Sequence, residues 1–164
     1  MKKSFALITL VCAIAAAFVF VACDGDDGNK ADARDAFVGT YNYVATGSVA
    51  AYYEGHMIVR FPLDSKGKFI ISKVGDGDEV IIDSLRGMDR AIVLGNQLIM
   101  EGPKVITTTY DNNLLKFSYS DAYGTMNGDT LNIVMNVDVV REYDSMDGHL
   151  TAYGSDKLYV TAVK

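Results

Sequence analysis

The sequence predicts an all-β domain, a single antiparallel meander of eight to ten strands closing into a small barrel, with a β-sandwich as the alternative. Three observations predict it. Beyond residue 37, apolar residues recur with a period of two or in short β-branched runs, and no segment of useful length carries the 3.6 period of a helix. Clusters of Gly, Asn and Asp separate these segments. Nearly every link is short enough to be a hairpin, whereas Greek-key sandwiches need some long crossings; the longest candidate here, Ser120–Asp129, is short.

The chain has 164 residues and opens with a different pattern. Met1-Lys2-Lys3 is a positive start, Phe5 to Val21 is apolar apart from Thr9, and Ala22-Cys23 leads at once into Asp24-Gly25-Asp26-Asp27-Gly28-Asn29. Positive start, apolar middle and small residue at the end form an export signal. The apolar stretch is at the short limit for a membrane span, and its flank is acidic rather than basic. Residues 1–22 are therefore read as a signal peptide, 23–36 as an acidic flexible tether, and 37–164 as the β domain.

Without the signal, Lys2 and Lys3 are lost and no acid is, so 13 basic residues face 21 acidic ones, a formal charge of −8. Nucleic acid and anionic lipid both want a basic face, so neither is expected as a partner. Cys12 departs with the signal and Cys23 stands in the tether, leaving residues 37–164 no thiol and no disulfide. Its 128 residues are enough for one core and short for two.

Taken in order, Phe37–Thr46 puts Phe37, Gly39, Tyr41 and Tyr43 on one face. Met57–Phe61 turns Met57, Val59 and Phe61 inward and stops at Pro62. Asp64-Ser65-Lys66-Gly67 turns into Lys68–Val74, and Gly75-Asp76-Gly77-Asp78 into Glu79–Leu85. Gly95-Asn96 joins Ala91–Leu94 to Gln97–Met100, a two-residue connection of the kind hairpins prefer. Asp111-Asn112-Asn113 joins Lys104–Tyr110 to Leu114–Tyr119. Thr130–Tyr143 is the clearest strand, with Leu131, Ile133, Met135, Val137 and Val139 alternating with polar residues. The turn Asp144–Gly148 leads to His149–Tyr153, and Lys157–Val163 closes the chain. Pro62 and Pro103 stand at strand boundaries, where a missing backbone donor does no harm.

Phe20-Val21-Ala22-Cys23 resembles a lipobox, the site at which signal peptidase II cuts before a diacylated cysteine. That resemblance implies a lipid on Cys23 and, through it, the membrane as a partner. The acidic run behind Cys23 is similar to the surface-export signal of Bacteroidetes-type lipoproteins. It implies the outer membrane and display to the exterior, with the periplasmic face as the alternative. Phe37-Val38-Gly39-Thr40-Tyr41 resembles the opening of lipocalin-like (calycin-type) barrels, with Tyr41 where that family often has Trp.

Nothing in the sequence nominates a catalytic site, a cofactor or a metal. His56 and His149 lie outside any metal-ligand spacing. The nearest approaches to a calcium loop, Asp24–Asn29 and Asp76-Gly77-Asp78-Glu79, lack its Gly and Glu positions. Asp83-Ser84-Leu85, Asp129-Thr130-Leu131 and Asp144-Ser145-Met146 resemble a Bacteroidetes-type O-glycosylation acceptor, and Ser145, in an expected loop, is the best placed. Ten tyrosines in a chain without Trp supply large apolar faces with polar tips. Tyr41, Tyr43, Tyr110 and Tyr119 are the candidate ligand or interface aromatics. The expected function is non-catalytic binding of a small ligand or lipid by the barrel. The alternative is a protein-binding module, either an enzyme inhibitor or an accessory subunit of an outer-membrane complex.

Overall fold

The computed structural model describes residues 31–86, 88–111, 113–145 and 148–164. Residues 1–22, read from the sequence as an export signal, Cys23 and the acidic run lie outside the described residues. Asp32–Lys164 forms one compact unit.

Among the described residues a 3-10 turn, Ala33–Ala36, precedes eleven strands: β1 (Gly39–Thr46), β2 (Ser48–Tyr53), β3 (His56–Pro62), β4 (Ser65–Lys73), β5 (Glu79–Leu85), β6 (Met88–Leu94), β7 (Gln97–Met100), β8 (Lys104–Tyr110), β9 (Asn113–Asn127), β10 (Thr130–Ser145) and β11 (Gly148–Val163). All the strand pairings are antiparallel. Eight strands follow one another as β1-β4-β5-β6-β7-β9-β10-β11, and β11 pairs back onto β1, closing a barrel. The expected meandering barrel is what forms; three further strands belong to something else.

Those three cover the far halves of the long strands. β9, β10 and β11 run for 15, 16 and 16 residues, about twice the length of the others in the barrel. Their halves nearest β1 build the barrel wall. Beyond it, β8 pairs the start of β9, and the β2–β3 hairpin joins β11 at Tyr52 and Tyr153. The result is a second curved sheet, β8-β9-β10-β11-β2-β3, growing out of the top of the barrel. Its two outer strands, β8 and β3, are not hydrogen-bonded to each other.

Inward alternation explains both layers. In β10 the odd-numbered residues from Leu131 to Val139 are almost completely buried, through barrel and extension alike. β9 cannot keep a single phase. Leu115 and Tyr119 face inward in the extension, but Ala122 and Met126 do so in the barrel. The phase changes at a bulge opposite Val134–Asn136, where Asp121 takes a left-handed φ of 46°. That bulge hid the strand from the sequence: Ser120–Asp129, considered as a crossing, is the second half of β9 and its turn.

Other departures have similar causes. β2 went unforeseen because Val49, Ala50 and Ala51 are all buried in succession, without alternation. His149–Tyr153 and Lys157–Val163 are one strand, because the polar Gly154-Ser155-Asp156 continues the ladder against Val137–Val139. Met57, expected inward, is 55 % exposed, since a register shift in the β2–β3 pair between Ala51 and Tyr52 moves it outward. The tether was read to residue 36, but the domain starts earlier. Arg34 is 6 % exposed and anchors the 3-10 turn to the bottom of the barrel. Its Nε and Nη2 donate to the Asp32 carboxylate at 2.7–3.0 Å, and its Nη1 donates to the carbonyls of Val74 and Gly75. Lys73 completes the cluster, 2.9 Å from Asp32 and 2.5 Å from Asp35. Phe37, fully buried just after the turn, plugs the barrel floor.

At one point two backbones nearly touch. Gly154 of β11 lies against Ala50 of β2, and an added Cβ would run into the Ala50 carbonyl oxygen. Gly154→Ala is expected to cost at least about 2 kcal/mol in urea unfolding, whereas Gly77→Ala, which meets open space, should change stability by less than about 0.5 kcal/mol. Asp32 gives a pH signature. Hydrogen bonds from Arg34, then Lys73, hold its carboxyl well below the ordinary value of 3.8. A carboxyl lowered in the folded state contributes stability above its ordinary value and loses it as pH falls towards the lowered one. Asp32→Asn should therefore be less stable than the parent at pH 7, with the difference shrinking as unfolding is measured at pH values progressively below about 4.

Candidate functional site

The expected ligand aromatics have different fates. Tyr41 is fully buried on the barrel floor, where its ring stacks on Phe69 at 5.1 Å and its hydroxyl donates to the Phe37 carbonyl at 2.6 Å. Burial, with the charge of Asp129, pushes its phenol above the ordinary range. Tyr119 is 2 % exposed at the junction of barrel and extension. Arg86 reaches its hydroxyl at 3.1 Å, and also donates to the Leu63 carbonyl and to Ser65 Oγ. Both tyrosines are therefore core residues, closed to a ligand arriving from outside. Tyr43 is half-buried and lies over Gly67, its ring 5.8 Å from Phe69. Tyr110 alone of the four is open, at 50 % exposure.

The barrel lumen holds large side chains rather than a hollow: Phe69, Ile71, Ile82, Leu98, Leu131 and Ile133 are each at most 1 % exposed. Eight strands leave an interior that side chains just fill. The inward face is apolar, the opposite of a transmembrane barrel with its polar lumen.

The concave face of the extension is different. Its lower layers are packed, with Val137, Val139 and Ala152 buried. Higher up, Phe61 of β3 crosses the open seam to meet Phe117 of β9 and Tyr110 of β8, edge-to-face at 5.7 and 5.4 Å. The two edges of this sheet are thus held together by ring contacts rather than by backbone pairing. Beside them stands Arg141. It occupies an inward position of β10, between Val139 and Tyr143, where every earlier inward residue is apolar. Its guanidinium carbon lies 5.5 Å from the ring centres of both Tyr110 and Tyr143. Its Nε is shut off from solvent and donates to no acceptor. Neighbouring Glu142 faces the other side and pairs with Lys116 at 3.0 Å, and among the described residues no carboxylate bridges Arg141. A half-buried cation between two tyrosine faces, next to an open seam, is equipped to receive an anionic group.

A second feature lies on the outer wall. Ile92, Ile99, Tyr123, Val134 and Tyr159 stand opposite one another on β6, β7, β9, β10 and β11, forming a continuous row. All but the half-buried Val134 are 39–52 % exposed. Ile99 and Tyr123 also line a surface cleft of about 480 Å³, together with Gln97, Gly102, Pro103 and Asp121. The cleft opens where β7 and β9 part at the bulge, and Asn136 Nδ2 fixes the Asp121 carboxylate at 2.9 Å.

The remaining sequence candidates are scattered. His56 is exposed at the start of β3. His149 Nδ1 is 3.1 Å from Asp144 across the β10–β11 pair, both of them exposed. Ser84 is exposed in β5 with its Oγ on Asp83, and Thr130 begins β10. Ser145, expected in a loop, is the last residue of β10, opposite Gly148. No protein family, no curated protein and no solved structure matches this chain.

Sequence reasoning missed Arg141, although the signal was present. It is the one charged residue in the inward phase of the clearest strand. Phe61→Ala, at a site 7 % exposed, should cost about 3 kcal/mol in chemical denaturation. Tyr110→Ser, at a half-exposed site, should cost less than about 1 kcal/mol. An equal loss from both would mean that Tyr110 belongs to the core.

Proposed function

We propose that this protein is a lipid-anchored, non-catalytic binding module of the outer membrane, facing the exterior, which engages a protein partner through the open face of its extension. The polarity of the fold carries this reading. The chain enters at the barrel floor, beside β1, and the extension begins only at the opposite end of β9–β11. A lipid on Cys23 is separated from Asp32 by a tether of at most about 30 Å. The aromatic seam lies at the end of the domain opposite the chain's entry. The packed lumen turns binding towards the outside of the barrel. The lipobox-like Phe20-Val21-Ala22-Cys23 and the acidic run behind it support anchoring by signal peptidase II and surface display.

The cleft between β7 and β9 favours a second reading, in which a small amphipathic ligand rests on Tyr123. About 480 Å³ is within the range of ligand pockets.

One measurement tests the anchor and its face, and a second separates the two readings. Exchanging residues 1–23 for an export signal that is cleaved without lipidation should move the protein from the membrane fraction to the soluble one, and added proteinase should digest the anchored parent on intact cells. Retention of the variant on the membrane would defeat the anchor, and protection on intact cells would reassign it to the periplasmic face. Native mass spectrometry of protein taken gently from cells should show no small adduct. A bound mass of a few hundred daltons, lost on unfolding and abolished by Tyr123→Ala, would replace the protein-binding reading with the ligand reading.

A further inference from the structure

We infer that β8 is a strand-addition site for an extended segment of the partner protein, and that Arg141 recognises an acidic side chain on that segment. This deepens the binding-module reading and rests on it.

The two edges of the extension are built differently. Natural sheets protect a free edge with charge, proline or a bulge. The β3 edge has all three: Arg60, Pro62 and the register shift near Ile58. The β8 edge has none between Val105 and Tyr110. Its Val-Ile-Thr-Thr-Thr-Tyr run is uncharged and strongly β-forming, Val105 is 61 % exposed and Ile106 38 %, and among the described residues its one partner strand is β9. Such an edge offers a row of unpaired backbone groups to another extended chain.

The occupant is constrained by what lies beside it. In the β8–β9 register, Ile106, Thr108 and Tyr110 share the face of Phe117 and Leu115, which is the concave one. A strand added to β8 places alternate side chains next to them, at the Tyr110 ring against which Arg141 stands. The guanidinium there has a screened Nε without an acceptor, and among the described residues no carboxylate pairs with it. A Glu or Asp on the incoming strand supplies a carboxylate to the accessible part of the guanidinium. A second copy of this chain pairing through its own β8 does not, because Lys104–Tyr110 contains no acid. The complement is therefore a β-prone segment with an inward-facing acid.

The test selects a displayed library of random twelve-residue peptides against the full-length protein in detergent. The expected winners alternate β-branched residues with one Asp or Glu. Arg141→Gln should weaken the best of them at least about tenfold, Arg141→Lys less, and Arg141→Glu should redirect selection towards Lys and Arg. Methylating alternate backbone nitrogens of the peptide, which leaves every side chain in place, should abolish binding. Amide exchange should slow at Val105–Tyr110. Acid-bearing peptides indifferent to Arg141, binding that survives methylation, or protection confined to another strand would overturn the inference and leave the binding-module reading standing. Failure to enrich any peptide also overturns it. Concentration-dependent pairing that protects β8 without peptide would assign the edge to a second copy instead. The binding-module reading itself fails only on the adduct found by mass spectrometry.

Discussion

The structure depends on one continuous ladder. β10 and β11 are joined through sixteen residue pairs, from Thr130 opposite Val163 to Ser145 opposite Gly148, with no shift of register. Since side chains alternate with a period of two, an unbroken register keeps one face inward along the whole length. The same pair of strands therefore walls the barrel with Ile133, Met135, Leu158 and Val160 and lines the extension with Val137, Val139 and Ala152. Barrel and extension share an unbroken core, and neither needs an interface to hold the other.

Everything attached to that ladder adjusts to it. β9 spends a bulge at Asp121 to stay in phase with both layers. β2 reaches β11 only because Gly154 lets the Ala50 carbonyl come close. Arg86, itself at a left-handed φ of 48°, spans the junction and satisfies the Leu63 carbonyl and the Tyr119 hydroxyl that the change of layer would otherwise strand. These accommodations cluster where eight barrel strands give way to six, and the surface cleft opens at the same level.

How far the sequence could be read follows from the same geometry. Regular alternation made β1, β4, β5 and β10 legible, and Gly95-Asn96 announced the β6–β7 hairpin. Bulges broke the period in β9 and β3, and consecutive small residues erased it in β2. The two-layer design left no local mark, because a long strand with one inward phase looks the same whether it serves one sheet or two. For the site, composition pointed at tyrosines but could not rank them. Tyr41 and Tyr119 satisfy their hydroxyls inside the core, while Tyr110 meets a cation on a strand two removed from its own. That meeting depends on sheet order, which no short stretch of sequence contains.

The closed seam between β1 and its neighbours has a mechanical consequence. β1 is hydrogen-bonded on both sides, to β4 and to β11, and the residues before it are clamped to the floor by Arg34, Asp32 and Lys73. A pull between the N-terminal entry and the far tip of the extension runs along the strands. Under such a load β1 must shear past two ladders at once rather than peel from one bond at a time. The domain is thus strongest along its strands, and weaker across the seam between β3 and β8, where Phe61 meets Phe117 and Tyr110 and no backbone pairing is formed.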